Sequence, residues 1–125
     1  MFAAEATLAK PELLERKLSE LDVEFIPVLA GMSRELGMEF GCSIFDLDLL
    51  NIAAPHLDFL KISSYELLWS DLLVESARTE LPIILSTGMA SEDEVAAALR
   101  VLEESEATGI ELLHCVSSYP CAPEE

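Results

Sequence analysis

The sequence has few basic residues, few cysteines and no long uncharged apolar run. Its 125 residues include 7 Lys and Arg against 24 Asp and Glu, which gives a formal net charge of −17. Such a negative surface repels nucleic acid and anionic membranes, so we expect neither as a partner. No uncharged stretch reaches the roughly 18 residues of a membrane span, and no basic region followed by an apolar one begins the chain. We therefore expect a soluble, cytoplasmic protein.

Cysteine and histidine are too sparse to indicate a disulfide framework or a metal site. Cys42, Cys115 and Cys121 lie far apart without CxxC spacing, and an odd number of cysteines fits a reducing compartment. His56 and His114 do not have a recognised ligand spacing. The sequence also lacks the glycine-rich loops of nucleotide-binding proteins. We predict no metal ligand in this chain.

The sequence does contain 51% apolar residues, enough to bury one core. Short apolar runs alternate with stretches of helical periodicity, which indicates βαβ units and a parallel sheet. The pattern predicts strands near 38–46, 57–63, 82–88 and 110–118 and helices near 46–54, 64–79 and 91–107.

Particular residues mark some helix boundaries. Ser91 and Glu94 form a capping-box pattern that predicts a helix start, and Pro11 suits the first turn of an earlier helix. The segment before Gly37 has a mixed pattern, because Pro27 is unfavourable inside a helix. We expect a helix that ends near Gly37.

Each predicted strand ends in its own polar cluster. A (β/α)8 barrel builds its site from the loops after many strands, whereas an open doubly wound sheet concentrates its site at one switch point. We therefore predict an α/β protein of the (β/α)8 TIM-barrel type, here a partial barrel of about four parallel strands and their helices. The clusters are Cys42 to Ser43, Lys61 to Ser64, Ser86 to Gly88 and His114 to Tyr119.

Lys61 is the most informative residue of these clusters. It is the only basic residue between Arg34 and Arg78, and it interrupts an apolar run. A buried lysine needs an anionic partner, although a lysine at a strand end can also extend to solvent or meet a nearby carboxylate. Hydroxyls, one ammonium and a close backbone approach at a glycine suit a small phosphorylated or carboxylated ligand. The convergence of the clusters predicts an anion site.

Four motifs in this order resemble the sialic acid synthase family, which includes legionaminic and pseudaminic acid synthases and spore-coat polysaccharide synthases. The motifs are FGCSIFD at 40–46, FLKISSYEL at 59–67, PIILSTGMASEDEV at 82–95 and LLHCVSSYP at 112–120. We interpret residues 1–125 as a partial barrel of this family, matched best over 37–125 and poorly over 1–36.

The resemblance implies an enzyme of carbohydrate biosynthesis that condenses phosphoenolpyruvate with an N-acylhexosamine, such as N-acetylmannosamine. The product is a nine-carbon 2-keto sugar acid, and phosphate is released. The resemblance also implies a homodimer and a divalent metal, Mn2+ or Mg2+, whose histidine ligands lie on strands outside this chain. We expect the chain alone to be inactive. The alternatives are a phosphoenolpyruvate-binding subunit without catalysis and an aldolase with Lys61 as Schiff-base nucleophile.

The resemblance also implies roles for individual residues. Lys61 and Ser64 match the family's phosphoenolpyruvate-binding lysine and serine, and Ser86 matches a phosphate-contacting serine. Ser43 stands where a threonine is usual, and Ser117 stands where many bacterial members have asparagine.

Tyr119 matches a tyrosine that lines the acceptor-sugar pocket of the family. We predict Lys61 and Tyr119 as catalytic residues and all six positions as substrate-binding. Ile44 departs from the family's common proline, and with Ser117 it leaves the identity of the acceptor sugar open.

Overall fold

One parallel sheet of four short strands organises the computed structural model, which describes residues 21–118 and 120–121. The strands are β1 (Gly41–Ser43), β2 (Phe59–Ile62), β3 (Ile83–Ser86) and β4 (Ile110–Leu113). The helices are α1 (Phe25–Glu35), α2 (Leu47–Ala53), α3 (Ser70–Ala77) and α4 (Glu92–Glu104). The helix predicted from Pro11 lies outside the described residues. None of the described helices combines the length and the apolar character that a membrane crossing requires.

The strand order distinguishes a barrel from a doubly wound sheet. Each strand pairs in parallel with its neighbour in sequence, in the order β1-β2-β3-β4. Each successive strand is therefore added at the same edge of the sheet, and right-handed crossovers place the connecting helices on one face. A doubly wound sheet would reverse its direction of growth at a switch point. The predicted class is confirmed, because these are consecutive units of a partial (β/α)8 barrel.

The two faces of the sheet differ in character. Leu60, Ile62, Ile83 and Leu85 are fully buried, whereas Lys61 between the first two is only partly buried. Side chains alternate between the faces of a strand, so Lys61 lies on the opposite face from these four residues. The buried set forms one core with the helix residues Leu50, Ala53, Leu72, Leu73, Ala98 and Leu102. The face with Lys61 corresponds to the interior of a barrel.

The segment with the mixed pattern is helix α1. Pro27 is compatible with it because Pro27 lies in the first turn, where a backbone N–H has no acceptor within the helix. Gly37 ends the helix with a φ of 69°. The N–H groups of Gly37 and Met38 donate to the carbonyls of Arg34 and Ser33 at 3.1 and 2.9 Å, which is the Schellman arrangement. The predicted end near Gly37 is confirmed.

Helix α3 begins at Ser70 and not near Ser64 as its apolar pattern predicts. Residues 64–68 form turns instead. The Ser63 hydroxyl donates to the Glu66 carboxylate, and the Trp69 N–H donates to the Glu66 carbonyl at 2.9 Å. These local bonds compete with a helix, and they leave Ser64 in the loop that follows β2.

The capping box predicted at the start of α4 is confirmed. The Ser91 hydroxyl accepts a hydrogen bond from the Glu94 N–H at 3.3 Å, and the Glu94 carboxylate accepts one from the Ser91 N–H at 2.8 Å. The Ser91 hydroxyl also donates to the same carboxylate at 2.9 Å. The hydrogen bonds from the Ser91 backbone and side chain lower the pKa of Glu94.

We expect a pH-dependent contribution of Glu94 to stability. Because its pKa is lower in the folded chain than in the unfolded chain, the contribution is present above the unfolded pKa of about 4.3 and is lost as the pH falls through the lowered folded pKa. The free energy of unfolding, measured by urea denaturation at several pH values, should therefore fall less with decreasing pH in Glu94→Gln than in the wild type. Glu92→Gln, in the same turn but outside the capping box, is the control. Superimposable wild-type and Glu94→Gln profiles would contradict the prediction.

Candidate functional site

The strand register places Lys61 in a row of side chains across the face opposite the helices. Lys61 pairs with Ser43 on β1 and with Ile84 on β3, and Ile84 pairs with Glu111 on β4. Register partners in a parallel sheet point to the same face, so the four side chains form one row. The sequence alone did not identify Glu111 as a member, because its place depends on the register between strands.

Ser86 lies one step further toward the carboxyl end of the sheet. It is the last residue of β3 and is only 3% exposed. Since it lies two residues after Ile84, it shares the face of Lys61. Its hydroxyl makes no hydrogen bond within residues 21–118 and 120–121. Ser86 is a buried residue, but its Oγ is not itself fully buried, since the one fully buried, unpartnered side-chain N or O atom among the described residues is Ser76 Oγ. A hydroxyl without a protein partner at this end of the sheet is a donor that a bound ligand can satisfy.

The loops after β2, β3 and β4 meet at Gly88. The Gly88 N–H donates to Ser64 Oγ at 3.0 Å. A methyl group at Gly88 would lie 2.9 Å from Ser117 Oγ, 3.1 Å from Ser64 Oγ and 3.2 Å from Cys115 Cβ. The backbone of Gly88 therefore passes between two hydroxyls, and a side chain at this position would require them to move.

The predicted site residues that the structure describes all lie at the carboxyl end of the sheet, and they are Ser43, Lys61, Ser64, Ser86 and Ser117. Tyr119 lies outside the described residues. The ammonium of Lys61 has no salt-bridge partner in the described part of the chain, where the one ion pair joins Arg78 to Glu75 at 2.5 Å. Lys61 is half-buried, and among the described residues no carboxylate pairs with its ammonium.

The described residues do not fit the divalent metal that the family resemblance implies. Across 21–118 and 120–121, no group of three or more His, Cys, Asp or Glu side chains is placed to hold a metal ion. His114 follows β4 and is exposed. We therefore assign no metal ligand in this part of the chain.

Cys42 does not extend the site to covalent chemistry. It pairs with Leu60 across β1 and β2, so it lies on the helix side of the sheet and not beside Lys61. Burial raises the pKa of the Cys42 thiol. Because the thiolate is the nucleophilic form, a raised pKa disfavours such a role at neutral pH.

A groove of about 600 Å³ lies beside β1 and reaches the predicted site only at Ser43. Its lining is mostly apolar, and its charged members, Asp46 and Asp48, are acidic. An anion would gain no opposite charge in this groove. The apolar lining is Leu21, Val23, Ile26, Phe40, Phe45, Leu49 and Ile52.

The fold and these donors define a class of protein: a parallel barrel segment with one ammonium and several hydroxyls at the carboxyl ends of its strands. Comparison with known proteins identifies the family. The model of the NeuB family matches residues 4–125, so the chain belongs to the NeuB family.

The relatives are longer proteins. The chain is 34% identical over 93 residues to N-acetylneuraminate-9-phosphate synthase of Drosophila melanogaster, a match that covers 74% of this chain and 25% of that protein. It is 33% identical over 104 residues to pseudaminic acid synthase of Helicobacter pylori, with 82% of this chain and 31% of that protein covered. The crystal structure of N-acetylneuraminic acid synthetase from Leptospira borgpetersenii matches with a TM-score of 0.81 and 31% identity, covering 86% of this chain and 38% of that one. The chain thus spans between 25% and 38% of the length of these relatives.

We expect Gly88→Ala to lower the free energy of unfolding by about 1 to 3 kcal/mol, because the new methyl group would force the Ser64 and Ser117 hydroxyls apart. Gly31→Ala in α1 is the control, since a Cβ there meets nothing within 4 Å. That substitution should instead stabilise the helix by about 0.5 to 1 kcal/mol. Urea denaturation measures both changes. Wild-type stability of Gly88→Ala would contradict the close approach of the three loops.

Proposed function

We propose that this chain forms the phosphoenolpyruvate-binding part of a sialic acid synthase type of enzyme. The observation that carries the proposal is the half-buried ammonium of Lys61, which lies in one row with Ser43 and has no ion-pair partner among the described residues. An unpaired cation beside neutral hydroxyls suits a phosphate or a carboxylate. The names of the relatives, a sialic acid phosphate synthase and a pseudaminic acid synthase, support the same class of reaction.

Each proposed ligand contact has a physical role. Lys61 neutralises part of the charge of phosphoenolpyruvate, and the hydroxyls of Ser64 and Ser86 donate hydrogen bonds to its oxygens. Ser86 has neither a donor nor an acceptor partner for its hydroxyl within the described chain, whereas Ser64 Oγ already accepts the Gly88 N–H. Ser43 on β1 and Ser117 in the loop after β4 complete the set.

In the proposed reaction of the complete enzyme, carbon 3 of phosphoenolpyruvate attacks the aldehyde carbon of an N-acylhexosamine such as N-acetylmannosamine. Water adds at carbon 2, and phosphate then leaves to give the nine-carbon 2-keto sugar acid. The protein contributes mainly positioning and charge stabilisation in this chemistry. Lys61 would stabilise the departing phosphate, and Tyr119 is proposed to contact the acceptor sugar.

Residues 1–125, taken as one partial barrel, are proposed to bind phosphoenolpyruvate without turning it over. The described residues supply donors for an anion but no metal-binding group, and the chain spans a minor part of its relatives. With Mn2+, phosphoenolpyruvate and N-acetylmannosamine, the chain should release no phosphate at an enzymatic rate. Enzyme-like release would contradict this part of the proposal.

The binding site is tested by isothermal calorimetry with phosphoenolpyruvate. A hydrogen bond to a charged group contributes about 1.5 to 3 kcal/mol, so Lys61→Ala should weaken binding at least about tenfold. Arg100→Ala is the matched control, because it removes one positive charge from the exposed surface of α4. We expect it to leave the affinity within about twofold of wild type, as for an exposed charge screened by solvent. Equal losses in the two variants would contradict a specific role of Lys61.

A further inference from the structure

The turn between β3 and α4 is fixed by hydrogen bonds that converge on Thr87. The Thr87 N–H and the Thr87 hydroxyl both donate to the Leu113 carbonyl, each at 3.0 Å. The Thr87 carbonyl accepts a hydrogen bond from the Ala90 N–H at 3.2 Å. Each polar group of Thr87 is therefore bonded within the protein. The peptide group that leads from Thr87 to Gly88 is held in one orientation.

This turn includes a backbone conformation that its sequence does not favour. Met89 has a φ of 66°, in the left-handed region that glycine adopts more readily than a residue with a side chain. Such a conformation persists where the surrounding structure fixes it, and it is often found at functional sites. The two bonds from Thr87 to Leu113 are the contacts that tie this turn to the neighbouring strand.

The fixed peptide directs the Gly88 N–H to the Ser64 side chain. The Gly88 nitrogen lies 3.0 Å from Ser64 Oγ. A serine hydroxyl has one proton to donate and two lone pairs that accept. Because the Gly88 N–H occupies an acceptor position, and Ser64 donates to no group within the described chain, its proton is left for a ligand.

We propose that Thr87 is a positioning residue of the anion site. Its two bonds to Leu113 hold the Gly88 N–H on Ser64 and so orient the Ser64 hydroxyl proton toward the bound anion. This inference rests on the proposed function, because it requires an anion beside Ser64. Thr87 itself contacts no ligand and acts through Gly88 and Ser64.

The test compares three threonine variants of the full chain. Thr87→Val keeps the side-chain shape and the backbone bond but removes the hydroxyl, whereas Thr87→Ser keeps the hydroxyl. Thr108→Val is the matched control, because the Thr108 hydroxyl donates to the Glu80 carbonyl at 2.8 Å and joins the same two strands at their opposite ends. The measurements are phosphoenolpyruvate affinity by calorimetry and the hydrogen-exchange rate of the Gly88 amide by NMR without ligand.

A typical hydrogen bond contributes about 1 kcal/mol, so we expect Thr87→Val to weaken phosphoenolpyruvate binding about fivefold and to speed exchange of the Gly88 amide by a similar factor. Thr87→Ser should restore both values toward wild type. Thr108→Val should change neither value, although it removes an equivalent bond.

Three outcomes would overturn the inference. Wild-type affinity and Gly88 exchange in Thr87→Val, with binding still lost in Lys61→Ala, would refute the role of Thr87 and leave the proposed function intact. Equal weakening in Thr108→Val would show that general destabilisation, and not positioning, is responsible. Absence of phosphoenolpyruvate binding by the wild-type chain would refute the proposed function, and this inference with it.

Discussion

Parallel pairing of consecutive strands brings the carboxyl ends of all four strands to one edge of the sheet, and the candidate site depends on this pairing. The register aligns Ser43 with Lys61, and the burial of Leu60 and Ile62 on the helix side holds that register. A slip of β2 by one residue would exchange the two faces and move Lys61 into the apolar core. Burying an unpaired ammonium costs several kcal/mol, so the core that stabilises the sheet also keeps the cation at the site.

Local contacts must outweigh the general electrostatics of this chain for an anion to bind. The formal net charge of −17 opposes anion binding. Glu111 lies in the same row as Lys61, two strands away, and strands are spaced about 4.8 Å apart. At roughly 10 Å a unit charge contributes about 0.4 kcal/mol in water, whereas a charge-assisted hydrogen bond contributes about 1.5 to 3 kcal/mol. The contacts proposed for Lys61 and the hydroxyls would therefore outweigh the repulsion from Glu111.

The sequence predicted those features that depend on residues close together in the chain. Alternating apolar strands and helices predicted the parallel sheet, and Ser91 with Glu94 predicted a helix start that the structure confirms. The start of α3 was predicted wrongly, because an apolar periodicity does not reveal that the bond from Ser63 to Glu66 holds a turn there. The apolar pattern predicted a helix over residues 64–68, where the local hydrogen bonds stabilise turns instead.

Other features of the site depend on contacts between distant parts of the chain. The bonds from Thr87 to Leu113 and the place of Glu111 beside Ile84 both follow from the register of β3 and β4. That register cannot be predicted from one sequence, because the alternation of side chains indicates which face a residue occupies but not which residue it pairs with on the next strand. The sequence alone singled out the candidate site residues as polar strand ends, whereas it did not reveal these longer-range contacts.

The central claim is that a small anion binds at the carboxyl ends of the strands, with Lys61 as its cation. The most direct measurement is an NMR titration of the 15N-labelled chain with phosphoenolpyruvate. We predict saturable shifts of the amide signals of Lys61, Ser64, Ser86 and Gly88, with the signals of Thr108 and Glu80 at the opposite end of the sheet unchanged. Saturable shifts confined to the groove beside β1, or no saturable shift at all, would contradict the account.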